Sequence, residues 1–174
     1  AKRNYVNDYG LTYDDANRIR ETIPAVKWVL PLRIIRKEIR FNTITFPVQV
    51  IGTHPLYPKM ASLDIVKGRF LSYIDERHRN NVCVLTTSLA ERLFPYQNPL
   101  KEVVRVGTDS YKVVGLVRET GLERQRPQSG DSRGQTIDAN VYVPLSTAKA
   151  RFGETIVTRS AGSYQAEKVQ LHQI

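Results

Sequence analysis

Val26, Trp28, Leu30, Leu32 and Ile34 are apolar at every second position, the signature of a strand with one buried face. At Ile34-Ile35 the phase slips, and Ile35, Ile39 and Phe41 carry the apolar face onward. A slip of one residue moves the buried face to the other side of the strand. Either a β-bulge or passage from one core into another is therefore expected here. Asn42-Thr43 reads as a two-residue turn, after which Ile44, Phe46, Val48 and Val50 return at period two and end at Gly52. The whole predicts a long hairpin joining two lobes.

A helix is expected from Tyr13 to Thr22. Thr12 is placed to cap it, with Asp15 three residues on, and Pro24 ends it. From Thr53 to Arg79 the pattern is weak, with Pro55 and Pro58 marking loop, a short apolar cluster at Leu63, Ile65 and Val66, and turn-to-extended chemistry at Gly68 to Leu71. Val82 to Leu85 predicts a short buried strand, and Leu89 to Phe94 a compact helix capped by Thr87 or Ser88 and stopped by Pro95. Val103–Val106 and Tyr111–Val117 predict two strands about a Gly107 to Ser110 turn, the second buried on both faces. Asn140 to Val143 is a strand leading to a helix capped by Ser146 and closed by Gly153. Ile156-Val157 and Val169, Leu171 and Ile174 are strand-like, and the alternation is still running at the last residue, which predicts a longer parent chain.

The stretch 118–136 holds one aliphatic residue, Leu122, among Gly, Gln, Arg, Ser and Glu, so it predicts a mobile or partner-binding loop. Its arginines Arg124, Arg126 and Arg133 are the candidate partner-binding residues.

Charge and chemistry narrow the function. The formal net charge is +9, but the bases are spread along the chain. In the densest group, Arg33, Arg36, Lys37 and Arg40, strand alternation divides the charges between two faces. No aromatic-and-basic interleaving offers a stacking platform, so the bases read as solvated surface and nucleic acid is not an expected partner. No run approaches the ~18 consecutive apolar residues of a membrane span. Cys83, the one cysteine, lies between Val82 and Val84 as a small apolar residue and excludes a disulfide framework.

Gly130-Asp131-Ser132-Arg133-Gly134 has the spacing of a nucleophile elbow, but no strand enters it and no helix leaves it, so it reads as loop. His54, His78 and His172 are too scattered for a metal pair, and Asp14-Asp15 suits a helix N-terminus. Neither a catalytic residue, a cofactor nor a metal is expected.

The order of these fragments resembles the extracytoplasmic core domain of MacB-like ABC transporter permeases, a family that includes the FtsX and LolC types. The matching pieces are Leu11-Thr12, Asp15-Ala16 and Ile23-Pro24-Ala25-Val26, then Val48 to Thr53 with Pro55, and Gly68-Arg69-Phe70-Leu71 before Asp75. Val82 to Leu85, Ala90, Leu93-Phe94-Pro95, Asn98-Pro99-Leu100, Arg105-Val106-Gly107, Tyr111 to Gly115 and Val141 to Ala148 complete the set. Where the family usually has a glycine after Pro-Leu, Lys101-Glu102 follow, so that turn is expected to differ.

The resemblance implies an α+β fold of two lobes, a small mixed α/β lobe and a mostly β lobe joined by the long hairpin. As one domain over 1–174, it divides into about 1–35 plus 165–174 and about 36–164. It implies a place outside the membrane in a multi-pass, four-span permease, between its first two transmembrane helices. ATP hydrolysis then belongs to a separate cytoplasmic ATP-binding domain or subunit. A periplasmic adaptor (membrane fusion) protein or cargo is the outer partner, and the parent is a homodimer. The rival readings are an FtsX-like regulator of a cell-wall hydrolase and, from charge alone, a basic nucleic-acid-binding module.

Overall fold

The computed structural model describes residues 7–8, 18, 21–22, 30–120, 139–152, 155–160 and 163–168. The hairpin forms from Arg33 onward, whereas Leu30 and Pro31, expected within its first strand, are not strand and residues 26–29 lie outside the described residues. Strand β2 (Arg33–Phe41) pairs antiparallel with β3 (Ile44–Thr53) over its whole length, from Arg33 opposite Gly52 to Phe41 opposite Ile44. The left-handed Asn42 (φ 52°) and Thr43 make the turn.

No bulge interrupts β2, so the phase slip at Ile34-Ile35 has the second of its two expected causes. Leu32 and Ile34 serve one apolar cluster, while Ile39 and Phe41 serve another on the opposite face.

Beyond the hairpin come helix α1 (Tyr57–Met60), β4 (Leu63–Gly68), α2 (Tyr73–His78), β5 (Val82–Thr86) and α3 (Thr87–Leu93). The chain continues through β6 (Val103–Val106), β7 (Asp109–Glu119), β8 (Asn140–Pro144) and α4 (Leu145–Phe152). Strand β3 runs parallel to β8, β8 antiparallel to β5, and β5 parallel to β7. Strand β6 then bonds to β7 on one side and to β2 on the other. Six strands thereby close into a ring in the order β2, β3, β8, β5, β7, β6, and β4 extends the far half of β7.

One cluster lies on the inner side of the ring: Ile39, Val50, Cys83, Leu85, Val104, Val106, Tyr111, Val113, Val141 and Val143, with Leu89 and Leu93 of α3 and Ala148 of α4. Alternation sends Leu32, Ile51, Val84, Val117 and Tyr142 to the outer side, where Leu63, Phe70 and Leu71 cover them. Val114 is an extra residue in β7 opposite the step from Cys83 to Val84, which lets Leu116 rejoin the inner cluster.

Several boundaries shift from the sequence reading. The stretch Thr53 to Arg79, read as loop with a short apolar cluster, holds two short helices and β4. The turn before β7 needs only Gly107-Thr108, because Asp109 and Ser110 already pair with Val106 and Arg105. Helix α3 starts at Thr87, so Thr86 stands at its cap position rather than Thr87 or Ser88. Ser146 lies inside α4, not before it. Arg118 and Glu119 are strand, shortening the expected loop. Lys101 adopts φ 74°, so the backbone keeps the left-handed conformation a glycine would take there.

A second sheet has β1 (Asn7–Asp8) parallel to β10 (Ser163–Lys168), which is antiparallel to β9 (Thr155–Ser160). Among the described residues it shares no pairing with the ring. Arg33 to Ile35 belong to the large sheet, and β9 goes with β10.

Arg18, Glu21 and Thr22 are helical, within the helix expected over Tyr13 to Thr22. The rest of that helix, Trp28, and the last strand-like stretch at 169–174 lie outside the described residues. Among the described residues no helix is long and apolar enough to cross a membrane.

Candidate functional site

Among the described residues the carboxylate of Asp75 collects the densest set of hydrogen bonds. It is held by the Gly68-Arg69-Phe70-Leu71 segment that leaves β4. Gly68 (φ 70°) turns the chain back across β7, and the Arg69 N–H donates to the Val114 carbonyl at 3.0 Å. The Arg69 carbonyl oxygen then lies 1.9 Å from where a Cβ on Gly115 would stand, so the crossing requires glycine at 115.

From this position Arg69 Nη1 and Nη2 donate to Asp75 Oδ2 (2.6 Å) and Oδ1 (3.3 Å). Ser72 donates its N–H and its hydroxyl to Oδ2 at 2.9 and 2.7 Å, and Asn80 Nδ2 donates to Oδ1 at 3.1 Å. The Ser72 hydroxyl accepts from the Asp75 N–H, which completes a capping box at the start of α2. Burial alone would raise the Asp75 pKa, but the bonds from Arg69, Ser72 and Asn80 outweigh it and hold the carboxyl well below the usual range.

The network continues into α4. Glu76 Oε1 accepts the Ser146 N–H at 2.9 Å, the Ser146 hydroxyl donates to the Glu76 carbonyl, and Thr147 Oγ1 donates to the Asn80 carbonyl. A carboxylate 70 positions away in sequence thus occupies the N-terminus of α4, where free N–H groups favour negative charge. Glu119 makes a second brace. It accepts from Asn140 Nδ2 (2.7 Å) and from the Tyr142 hydroxyl, tying together the two strands that flank residues 121–138. Burial, with the bond to Glu119 next, pushes the Tyr142 hydroxyl pKa well up.

Exposed on this frame are Tyr73 (59%) and Ile74 (67%) at the start of α2. The His54 ring stands edge-on to Tyr73 at 5.2 Å, and burial, partly opposed by Glu76, lowers its pKa. The sequence reading missed this mounting. Yet Ser72-x-x-Asp75 repeats the Thr12-x-x-Asp15 pattern used to place the first helix, and it would have found α2.

Of the residues weighed for chemistry, Cys83 is wholly buried, which drives its thiol pKa far up. His78 is exposed. Among the described residues no three of His, Cys, Asp and Glu converge as metal donors. Arg124, Arg126, Arg133, the Gly130–Gly134 run, Asp14-Asp15 and His172 lie outside the described residues.

The model of the MacB-like periplasmic core domain family matches residues 2–171. The chain belongs to this family. It is 28% identical over 148 residues to the macrolide export ATP-binding/permease protein MacB of Bdellovibrio bacteriovorus, covering 84% of this chain and 21% of that protein. It is 25% identical over 167 residues to the pyoverdine export ATP-binding/permease protein PvdT of Pseudomonas aeruginosa, covering 91% and 24%. The chain thus spans under a quarter of the length of these curated relatives.

Two solved structures share the fold. The extracellular domain of the noncanonic ABC-type transporter YknZ from Gram-positive bacteria has a TM-score of 0.66 at 21% identity, covering 90% of this chain and 70% of that one. The periplasmic region of MacB from Actinobacillus actinomycetemcomitans has 0.65 at 22%, covering 89% and 61%. The α+β class and the resemblance read from ordered fragments both hold. Family membership makes this the periplasmic core domain of a MacB-like ABC transporter permease.

Proposed function

We propose that the chain is a non-catalytic relay, coupling ATP hydrolysis in a cytoplasmic domain or subunit to export through contact with an adaptor protein or cargo. The parent is a multi-pass membrane protein working as a homodimer. The observation that carries this reading is the wiring of Asp75, Glu76 and Glu119. Each carboxylate is spent on joining one scaffold element to another. Such a frame transmits displacement, and it presents Tyr73 and Ile74 as a contact surface on a helix fixed at both ends. Arg124, Arg126 and Arg133 supply the second, charged part of the partner contact.

Replacing this domain in the membrane-embedded parent by a short linker tests the reading. Basal ATP hydrolysis is expected to persist while export is abolished; undiminished export would overturn it. Retained export with a defect in cell-wall hydrolysis would transfer the relay to the FtsX-like reading. Tyr73→Ala with Ile74→Ala, and separately charge reversal at the three arginines, should lower export without lowering basal hydrolysis.

A further inference from the structure

The charge cluster that alternation divides between two faces is rebuilt by the ring. Arg33 is buried, but Arg36 and Arg40 share the outer face of β2, and Arg105 of β6 pairs directly opposite Arg40. With Lys37, Glu38, Thr45 and Gly107 they line a groove of about 620 Å³. Arg36, Arg40 and Arg105 share the outer face with one acid, Glu38, while Lys37 reaches the groove from the other face, its Nζ 5.6 Å from the centre of the Phe152 ring. Among the described residues Arg36 and Arg105 have no ion-pair partner, and Arg40 bonds only to Thr45 Oγ1, at 3.3 Å. Like charges directly opposite on neighbouring strands are destabilising. The Arg40–Arg105 pairing is therefore unfavourable to the extent that solvent leaves it unscreened, and an anion between the two side chains would relieve it.

The lining also selects the kind of anion. It holds no aromatic ring and no aliphatic anchor. The backbone beside Arg40 and Arg105 is hydrogen-bonded on both sides, by β3, β6 and β7, and the Gly107 N–H donates to the Glu38 carbonyl. An extended peptide finds neither a free strand edge nor a side-chain pocket, the two features such recognition uses. The guanidinium fork matches phosphate oxygens two at a time. The groove is open and polar-lined, with room for more than one phosphate. Arg36 lies four strand residues from Arg40, about 13 Å along β2, within reach of a second phosphate held by long side chains.

We infer that this groove binds a compact soluble ligand carrying two phosphate groups, clamped by Arg40 and Arg105 and met at its far end by Arg36. This site lies apart from the α2 surface and is independent of the transport reading.

Inorganic pyrophosphate is the probe, titrated into the chain by calorimetry at fixed low salt, with Arg40→Gln, Arg105→Gln and the exposed Arg77→Gln in parallel. Saturable 1:1 binding is expected, weakened about tenfold or more by each groove substitution and unchanged by Arg77→Gln. Because both groove arginines are exposed and mutually repulsive, Arg105→Gln should melt no lower than the wild type without ligand, which separates lost binding from lost folding. A second arm sediments the chain with vesicles of phosphatidylglycerol or phosphatidylcholine. Sedimentation with the anionic vesicles and no saturable pyrophosphate binding would overturn the inference in favour of a lipid headgroup. Absence of both, or equal weakening by Arg77→Gln, would overturn it outright.

Discussion

Gly115→Ala is expected to lower stability by more than about 3 kcal/mol, a large part of the 5–15 kcal/mol typical of a domain. The added Cβ would stand 1.9 Å from the Arg69 carbonyl oxygen and 2.8 Å from its carbon. Both are backbone atoms, so no side-chain rotation relieves the overlap. Gly68 leaves the crossing segment little freedom, because its own left-handed conformation sets the turn over β7. The segment must lift, which withdraws Arg69 from Asp75 and Phe70 from the outer cluster together. Gly107 is the control. Its φ is positive, at 61°, but a Cβ there makes only ordinary contacts, with the Lys37 side chain at 3.5 Å and the Phe152 ring at 4.0 Å. Gly107→Ala should therefore cost about 1 kcal/mol of backbone strain. Denaturant unfolding of the two variants side by side measures the difference, and equal midpoints would contradict the crossing geometry.

Asp75→Ala should cost about 3 kcal/mol, since five hydrogen bonds end on this carboxylate. Arg69 is half exposed and can turn to water, so its share is smaller than in a wholly buried pair. Asp75→Asn keeps the shape and removes the charge, which makes it the probe of pH dependence. The folded pKa lies below the unperturbed value of 3.8, so the carboxylate stabilises the fold above that pH. The stability gap between wild type and Asp75→Asn should be full at pH 7. It should shrink as the pH falls below 3.8. A gap constant from pH 7 to pH 2 would mean that the charge contributes nothing.

The hairpin and the sandwiched strand β5 are legible in the sequence because each position along them answers to one face at a time. Ile44 to Val50 keep strict alternation, and Val82 to Leu85 are apolar at every step because both sides of β5 are covered. The stretch Thr53 to Arg79 is illegible for the opposite reason. Leu63, Phe70 and Leu71 face the outer cluster, Ile65 and Val66 lie exposed on β4, and α1 buries no residue, so no single period emerges. Ring closure depends on β6 pairing with β2, more than 60 residues before it, as well as with β7 just after it, and local pattern carries no trace of such register. The same closure brings Arg105 beside Arg40. Gly68 to Leu71 and Asp75 are visible as ordered fragments, but the reason they belong together lies in the crossing over Gly115.

A relay of this kind must keep its internal distances while its surroundings move. Within this domain Cys83 is buried, so cysteines placed at the exposed positions Arg77 and Thr108 can carry spin labels in a parent whose other reactive cysteines are replaced. Electron–electron distance measurements between them, in the membrane-embedded parent with ATP and then with ADP, report the rigidity of the ring and α2 directly. The account predicts one distance distribution in both states, while labels on the domain and its outer partner change separation. A nucleotide-dependent shift of more than about 2 Å within the domain would contradict it.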